Sequence, residues 1–190
     1  GNHLNHAARK NINLTYVIMD NCVYGLTKNQ TSPTTPIGRR SKTDPQGSAD
    51  RPINPMAQLL GSSASFIARS HAAHVKHMTE MFERAVKHPG FSVVEVLSEC
   101  TMFYPGAFDA AIPRKGGEFN LINEEEHDLT STSKAFDLAQ LEFPGKFGVF
   151  YQDERPSKND LEQKWINETH DKQGDLAPQD LMRQKFAAMQ

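Results

Sequence analysis

Residues 14–33, LTYVIMDNCVYGLTKNQTSP, contain the strand and loop around which this chain is organised. The stretch opens with a largely apolar run at residues 14–19, typical of a parallel strand that is buried on both faces. Asp20 and Asn21 end the run, and a polar loop with a glycine and a lysine follows. The pattern predicts a buried strand followed by a tight loop at its carboxyl end.

This loop would lie where ligands bind in open parallel sheets, at the carboxyl ends of the strands. Asn21 offers a side-chain oxygen and the loop offers backbone carbonyls, which are ligands suited to Mg²⁺. Lys28 adds a mobile positive charge suited to a phosphate or a carboxylate. A second interpretation stays open at this point, because an Asn after a strand often only forms a turn.

Strands and helices alternate after the loop. Residues 32–55 are rich in Pro, Thr, Gly and charge, which predicts an irregular segment that covers the site or docks on a partner. Asn54 and Pro55 are typical of a helix start. Further strands are expected near residues 65–68, 91–97 and 147–151, and a helix over 74–88 is expected to bury its face. That face is expected to consist of Val75, Met78, Phe82, Ala85 and Val86. The order predicts an α/β fold, a mostly parallel sheet with helices on both faces.

Composition excludes several classes of protein. The 190 residues carry a net charge of −2, which gives no reason to expect a nucleic acid or an acidic membrane as partner. No apolar run is long enough to span a bilayer, and two cysteines do not form a disulfide framework. We therefore expect a cytoplasmic protein with no nucleic-acid or membrane partner.

We divide the chain into a domain at residues 1–155 and a charged tail at residues 156–190, which is expected to pack on the domain or on a partner subunit. The tail contains a potential amphipathic helix after Pro178. The chain opens with a helical segment at residues 3–11, with no strand before it. We expect that the N-terminal part of the fold is missing from this chain.

Four motifs resemble one family in the same order. They are GNHLNHAARKNINL at residues 1–14, DNxVYGLTKxQxSPTTPxG at residues 20–38, VEVLSECTMF at residues 94–103 and GVFYQDERP at residues 148–156. Together they resemble the thiamine-diphosphate-binding β subunit of 2-oxoacid:ferredoxin oxidoreductases, most of all the 2-oxoglutarate type. The resemblance implies a thiamine-diphosphate-binding fold, and it places the family's GDG motif and three further cysteines before residue 1.

The resemblance implies a role for each position of the loop. Asn21 would bind Mg²⁺ through its side chain and Val23 would bind it through its carbonyl, while Tyr24 and Gly25 would shape the turn around the cofactor. The catalytic positions would be three consecutive residues at the reacting end of the cofactor, of which the first would affect substrate size and the last would meet a substrate carboxylate: Leu26, Thr27 and Lys28. By the same resemblance, His3 would lie beside the diphosphate.

The family carries a four-iron–four-sulfur cluster, and Cys100 matches its last cysteine ligand. Cys22 is at a position that the family does not use for the cluster, so we expect it to be a packing residue. Asn29 replaces a more usual glycine, and Asn tolerates the left-handed conformation that a glycine would adopt there.

The implied function is the oxidative decarboxylation of 2-oxoglutarate to succinyl-CoA, or the reverse reaction, with coenzyme A as acyl acceptor. Electrons would pass through the cluster to ferredoxin, and activity would require the α subunit. Two alternatives remain at this point: the same chemistry on pyruvate or on a broad range of 2-oxoacids, or a non-catalytic assembly subunit or degenerate fragment.

Other polar residues are given ordinary roles. Arg39 and Arg40 are expected to be solvated. His71, His74 and His77 lack the carboxylate pattern of a zinc helix, so no structural zinc is expected there.

Overall fold

The computed structural model describes residues 2–173 and 176–189 and has the predicted α/β architecture. The strands are β1 (Leu14–Asp20), β2 (Phe66–His71), β3 (Phe91–Leu97) and β4 (Gly148–Gln152). The helices are α1 (Asn2–Lys10), α2 (Pro55–Gly61), α3 (Val75–Lys87), α4 (Thr132–Ala139), α5 (Lys158–Gln173) and α6 (Pro178–Ala187).

The sheet has the spatial order β1-β3-β2-β4. β1 and β2 both pair with β3 in parallel, and β4 pairs antiparallel with the outer edge of β2. The prediction of a mostly parallel sheet is therefore confirmed. Because β1 and β3 are parallel and in register from Leu14↔Phe91 to Asp20↔Leu97, their carboxyl ends lie side by side.

Helices cover both faces of the sheet, as expected. One core cluster joins α1, α2 and α4 to the side chains on one face, including Ile67, Val93 and Phe150. The other joins Met81 and Ala85 of α3 to the opposite face. β3 is buried along its whole length, which matches its apolar sequence.

β1 departs from the prediction of a strand buried on both faces. It lies at the edge of the sheet, and within the described chain it pairs only with β3. Its side chains remain partly exposed: Leu14 by 40%, Tyr16 by 43%, Val17 by 39% and Met19 by 62%. The prediction was wrong because an apolar run indicates side chains suited to burial and does not reveal whether neighbouring elements cover them.

The helices were only partly predicted. Asn54 caps α2 by accepting a hydrogen bond from the Ala57 N–H, as the Asn-Pro start indicates. In α3, however, Val75 and Val86 are exposed by 63% and 70%, so their predicted burial is wrong. Because α3 lies on the sheet through Met81 and Ala85, these two valines point away from the core.

The sequence did not predict two of the helices, α4 and α5. α4 begins after Ser131, which caps it by accepting from the Lys134 N–H, and it buries Ala135 and Ala139. α5 begins after Ser157, whose hydroxyl accepts from the Asp160 N–H at 3.1 Å. The sequence did not reveal α4 because this helix is short, and it did not reveal α5 because that segment is polar and has little apolar periodicity.

The described part of the predicted tail contains two helices, α5 and α6. α6 follows at Pro178, where the terminal helix was expected, and contains no buried residue. Within the described residues, no helix is both long enough and apolar enough to cross a bilayer.

Candidate functional site

A groove of about 690 Å³ opens at the carboxyl end of β1. It is lined by six of the residues that the sequence singled out, namely Asn21, Val23, Tyr24, Gly25, Leu26 and Thr27. Met19, Tyr24 and Leu26 are exposed by 62%, 50% and 98%, so the groove has an apolar rim. The loop after β1 therefore forms a concave surface of a size that suits a small organic ligand.

Asp20 joins the two ends of the segment that surrounds this groove. Its Oδ1 accepts a hydrogen bond from the Cys22 N–H at 2.9 Å and one from the Thr34 hydroxyl at 2.6 Å. Thr35 reinforces the closure by donating its hydroxyl to the Cys22 carbonyl at 2.8 Å. Sequence reasoning missed Asp20 and Thr34 as site residues, although an Asp after the strand and a Thr pair in the following segment were visible signals.

Asn21 agrees with both interpretations that the sequence left open, as a residue that forms a turn and as a possible ligand of Mg²⁺. Its Oδ1 accepts the Val23 N–H at 3.1 Å, which is the hydrogen bond of an Asx turn. An amide oxygen has two lone pairs, so one remains for a cation. The side chain lines the groove while it forms the turn, and its chemistry is suited to Mg²⁺.

The tip of the loop is held by backbone pairing. The Tyr24 N–H donates to the Gln30 carbonyl at 3.0 Å, and the Gln30 N–H donates back at 3.4 Å. Lys28 and Asn29 have φ values of 67° and 71°, so Asn29 adopts the left-handed conformation anticipated for a glycine replacement. Left-handed non-glycine residues cluster at functional sites because the surrounding structure must hold them there.

Two predicted site residues lie apart from the groove. His3 is exposed on α1 and is not one of the lining residues, and Gly1 lies outside the described residues. Lys28 is exposed at the loop tip, next to Thr27, whose hydroxyl donates to Gln30 Oε1 at 2.8 Å. The roles of His3 and Lys28 stay predictions.

Cys100 lies beside the loop. A β-carbon built on Gly25 would lie 3.3 Å from Cys100 Sγ, so the two segments are in contact. Cys100 is a free, half-buried thiol, and its carbonyl accepts the Tyr104 N–H at 2.9 Å. The role of Cys100 as a cluster ligand stays a prediction. The chain has only two cysteines, so a cluster with four thiolates would take the others from outside these 190 residues.

Cys22 is unsuited to ligation. It is buried, and burial raises the pKa of its thiol to about 12, with the negative charge of Asp20 acting in the same direction. A metal ligand must be a thiolate. The position of Cys22 in a core cluster with Leu97 and Phe147 agrees with the packing role expected for it.

Arg39 was predicted to be solvated, and this prediction is wrong. Its Nη2 donates to Asn29 Oδ1 at 2.9 Å and to the Phe103 carbonyl at 2.8 Å. Its guanidinium carbon lies 3.9 Å from the centre of the Tyr104 ring. Arg40 is exposed, as predicted. A pair of basic residues in a loop does not reveal which of the two turns inward, and this is why the sequence missed Arg39.

A buried ion pair lies in the sheet beneath the site. Arg69 Nε lies 2.5 Å from Glu95 Oε2, between neighbouring positions of β2 and β3. Burial raises the pKa of Glu95, the negative charge of Asp20 adds to this rise, and Arg69 opposes it. Arg69 thus compensates the charge of a carboxylate that burial would otherwise keep protonated.

His71, His74 and His77 each lie within hydrogen-bond distance of another group of the protein. His77 Nδ1 lies 2.8 Å from the Ser70 hydroxyl, and His74 Nε2 lies 3.1 Å from the Ala111 carbonyl. His71 Nδ1 accepts the Ala73 N–H at 3.0 Å. Over residues 2–173 and 176–189, no three His, Cys, Asp or Glu side chains are arranged to hold a metal ion.

Comparison with known proteins confirms the resemblance that the motifs carry. The thiamine pyrophosphate enzyme family, through its C-terminal TPP-binding domain, matches residues 1–96. The 2-oxoglutarate oxidoreductase subunit KorB of Mycobacterium tuberculosis is 43% identical over 122 residues, which are 64% of this chain and 32% of that protein. The 2-oxoglutarate synthase subunit KorB of Methanocaldococcus jannaschii is 33% identical over 158 residues, 82% of this chain and 57% of that protein.

A solved structure has the same fold. The 2-oxoglutarate:ferredoxin oxidoreductase from Magnetococcus marinus, solved with 2-oxoglutarate, coenzyme A and succinyl-CoA bound, superimposes with a TM-score of 0.83 at 31% identity. The match covers 96% of this chain and 62% of that one. The chain thus spans about a third to three fifths of the length of these relatives.

Proposed function

This chain belongs to the thiamine pyrophosphate enzyme family, and on that premise we propose that it forms the β-subunit part of a 2-oxoacid:ferredoxin oxidoreductase acting on 2-oxoglutarate. The reaction would be the CoA-dependent oxidative decarboxylation of 2-oxoglutarate to succinyl-CoA and CO₂, or its reverse. Relatives that carry 2-oxoglutarate in their names support this substrate, and so does a neighbour solved with it.

The observation that carries the proposal is the contact between the groove and the cysteine segment. A single loop supplies Asn21 and the apolar rim of the groove, and its Gly25 lies against Cys100. An enzyme that removes electrons from a bound substrate needs its electron acceptor close by, and the contact of Cys100 with Gly25, which lines the groove, supports this arrangement.

We assign the diphosphate end of the cofactor to Asn21 and Val23. Asn21 would offer the free lone pair of its amide oxygen, and Val23 its backbone carbonyl, to the Mg²⁺ that neutralises the diphosphate. Tyr24 and Gly25 would shape the wall of the site, and His3 would approach the diphosphate from α1. Thiamine diphosphate, when bound, supplies the electron sink that decarboxylation of a 2-oxoacid requires.

The loop tip would select the substrate. Leu26 is exposed by 98%, which leaves its side chain free to contact a substrate or a partner. Thr27 lies beside it, and the exposed Lys28 would pair with the distal carboxylate that distinguishes 2-oxoglutarate from pyruvate.

The proposed partners are the α subunit, which would complete the active site, and ferredoxin, which would accept electrons from a four-iron–four-sulfur cluster. Coenzyme A would take the acyl group. We place the enzyme in the cytoplasm, because two cysteines in 190 residues do not form the disulfide framework of a secreted domain.

Turnover by the complete complex tests the proposal. The wild-type complex is expected to reduce ferredoxin when both 2-oxoglutarate and CoA are present. The K28Q variant should lose about 10- to 100-fold in kcat/KM for 2-oxoglutarate, because a hydrogen bond between charged groups contributes about 1.5–3 kcal/mol. It should lose little with pyruvate, which lacks the second carboxylate.

K42Q is the matched control, because Lys42 is another exposed lysine of the neighbouring segment. It should leave both kcat/KM values unchanged. Ferredoxin reduction with pyruvate and none with 2-oxoglutarate would refute the substrate assignment, and a complex that binds no thiamine diphosphate would refute the function.

A further inference from the structure

Arg39 connects the two halves of the candidate site. Its Nη2 donates to Asn29 Oδ1 on the cofactor loop and to the carbonyl of Phe103, three residues after the cysteine. Its guanidinium carbon lies 3.9 Å from the ring centre of Tyr104, whose N–H donates to the Cys100 carbonyl. One side chain therefore holds the turn at residues 100–104 against the loop tip.

The other end of the guanidinium is unused. Arg39 Nη1 is buried and has no hydrogen-bond acceptor among the described residues. Within the same residues Arg39 also forms no ion pair with a carboxylate. Native proteins rarely leave a buried donor unpaired, and such a donor is usually satisfied by water, by an ion or by a cofactor. An acceptor that carries negative charge would also compensate the guanidinium.

The position of Arg39 favours one acceptor over another. Arg39 does not line the groove at Asn21, where the diphosphate would bind, and besides Asn29 its contacts are with the cysteine turn. In the proposed enzyme the cysteine turn would carry a negatively charged group, the iron–sulfur cluster with its sulfide and thiolate sulfurs. Cys100 fits as one ligand of this cluster because it is free and half-buried.

We propose that Arg39 sets the reduction potential of the cluster that Cys100 would ligate, by donating its Nη1–H to a cluster sulfur and by fixing the Cys100 turn. This inference rests on the proposed function. Hydrogen bonds to sulfur and a nearby positive charge both favour the reduced cluster, which carries one more electron and thus one more negative charge. Arg39 therefore makes the cluster a better electron acceptor for the oxidation at the groove.

The test is an anaerobic redox titration of the complete complex with dithionite, followed by EPR, with iron content and thiamine-diphosphate affinity measured in parallel. R39Q removes the charge and keeps a polar side chain, and its midpoint potential is expected to be more negative than that of the wild type. R39K keeps the positive charge and loses the planar guanidinium group with its several N–H donors. We therefore expect a smaller shift of the midpoint potential in the same direction. Thiamine-diphosphate affinity should be unchanged in both variants.

R40Q removes the same charge from the adjacent, exposed arginine and should leave the potential at the wild-type value. An iron-loaded R39Q complex with the wild-type potential would overturn the inference, and so would an equal shift in R40Q. If R39Q fails to retain iron, R39K decides, and a wild-type potential in R39K overturns the inference. If the wild-type complex contains no cluster, the iron–sulfur cluster that the proposed function requires is refuted instead.

Discussion

Gly25 and Cys100 are in contact across the boundary between the cofactor loop and the cysteine turn, with 3.3 Å between Cys100 Sγ and the place where a β-carbon of Gly25 would lie. The two segments are 75 positions apart in sequence. The parallel register of β1 and β3 brings them together, because each segment follows directly after its strand. A side chain at position 25 would therefore displace the thiol.

This contact predicts the effect of enlarging Gly25. In G25A the sulfur must move by a few tenths of an ångström, and a cluster ligand cannot move freely, so iron per complex should fall. G25V should lower the iron content further. Iron analysis and EPR of the purified complex measure the effect.

Gly61 provides the control, because a β-carbon there meets no heavy atom within 4 Å. G61A should keep full iron content and the wild-type melting temperature or a slightly higher one, since Ala is favoured over Gly in helices. Full iron content in G25V would contradict the close approach of loop and cysteine.

Asn21 is predicted to be essential for binding of the Mg²⁺-diphosphate. N21A removes both the Asx-turn acceptor and the proposed metal ligand, so thiamine-diphosphate affinity should fall by at least the roughly 10- to 100-fold that loss of an outer-sphere partner costs. N21D keeps an oxygen for both roles and should retain much of the affinity. Isothermal titration calorimetry with Mg²⁺ present measures the thiamine-diphosphate affinity of both variants. A normal affinity in N21A would refute the assignment of Asn21 as a magnesium ligand.

The two cysteines should differ in reactivity in cluster-free protein. Cys22 is 8% exposed and burial raises its pKa to about 12, so it remains a protonated thiol at pH 8. Iodoacetamide should therefore modify Cys100 and leave Cys22 intact until the protein is unfolded. Mass spectrometry of native and urea-unfolded samples reads this out. In the complex, C100S should lose iron and C22A should keep it.

The buried pair of Arg69 and Glu95 predicts a pH-dependent loss of stability. R69M leaves Glu95 buried without its cation, which should lower the free energy of unfolding by about 3–5 kcal/mol. The double variant R69M/E95L should regain much of this loss, because it replaces the pair with apolar side chains.

The sign of the pH dependence follows from the raised pKa of Glu95. The folded state binds this proton more tightly than the unfolded state, whose pKa is close to 4.5, so stability falls as pH rises from about 4.5 towards the folded pKa. Removal of Arg69 raises the pKa of Glu95 further, so the free energy of unfolding continues to fall up to a higher pH. Urea unfolding of R69M should therefore show a smaller defect at pH 5 than at pH 8, and an equal defect at both would argue against an ionised Glu95.

The local patterns that predicted structure correctly have causes within a few residues. An Asn-Pro pair provides both a cap and a fixed φ, which identified the start of α2. The apolar run of β3 identified a buried central strand. The loop after β1 was identified by polar residues that form turns, and Asn29 adopts the left-handed conformation that was expected of it.

The predictions that failed depend on neighbours distant in sequence. The same apolar composition describes β1 and β3, but β1 is the edge strand because no described element covers its outer side. Arg39 and Arg40 are adjacent and identical in type, and only Arg39 meets Phe103 and Tyr104. No periodicity in the sequence contains this information.

The sequence by itself determined the family and the α/β order, and it predicted the loop after β1 as the cofactor site, because these depend on local composition and on motifs read in order. The tertiary structure alone decided that Gly25 lies against Cys100, that Asp20 closes the loop on Thr34 and that Arg39 is directed inward. Sheet register and side-chain packing create these contacts between residues far apart in the chain, and neither is written in any single segment.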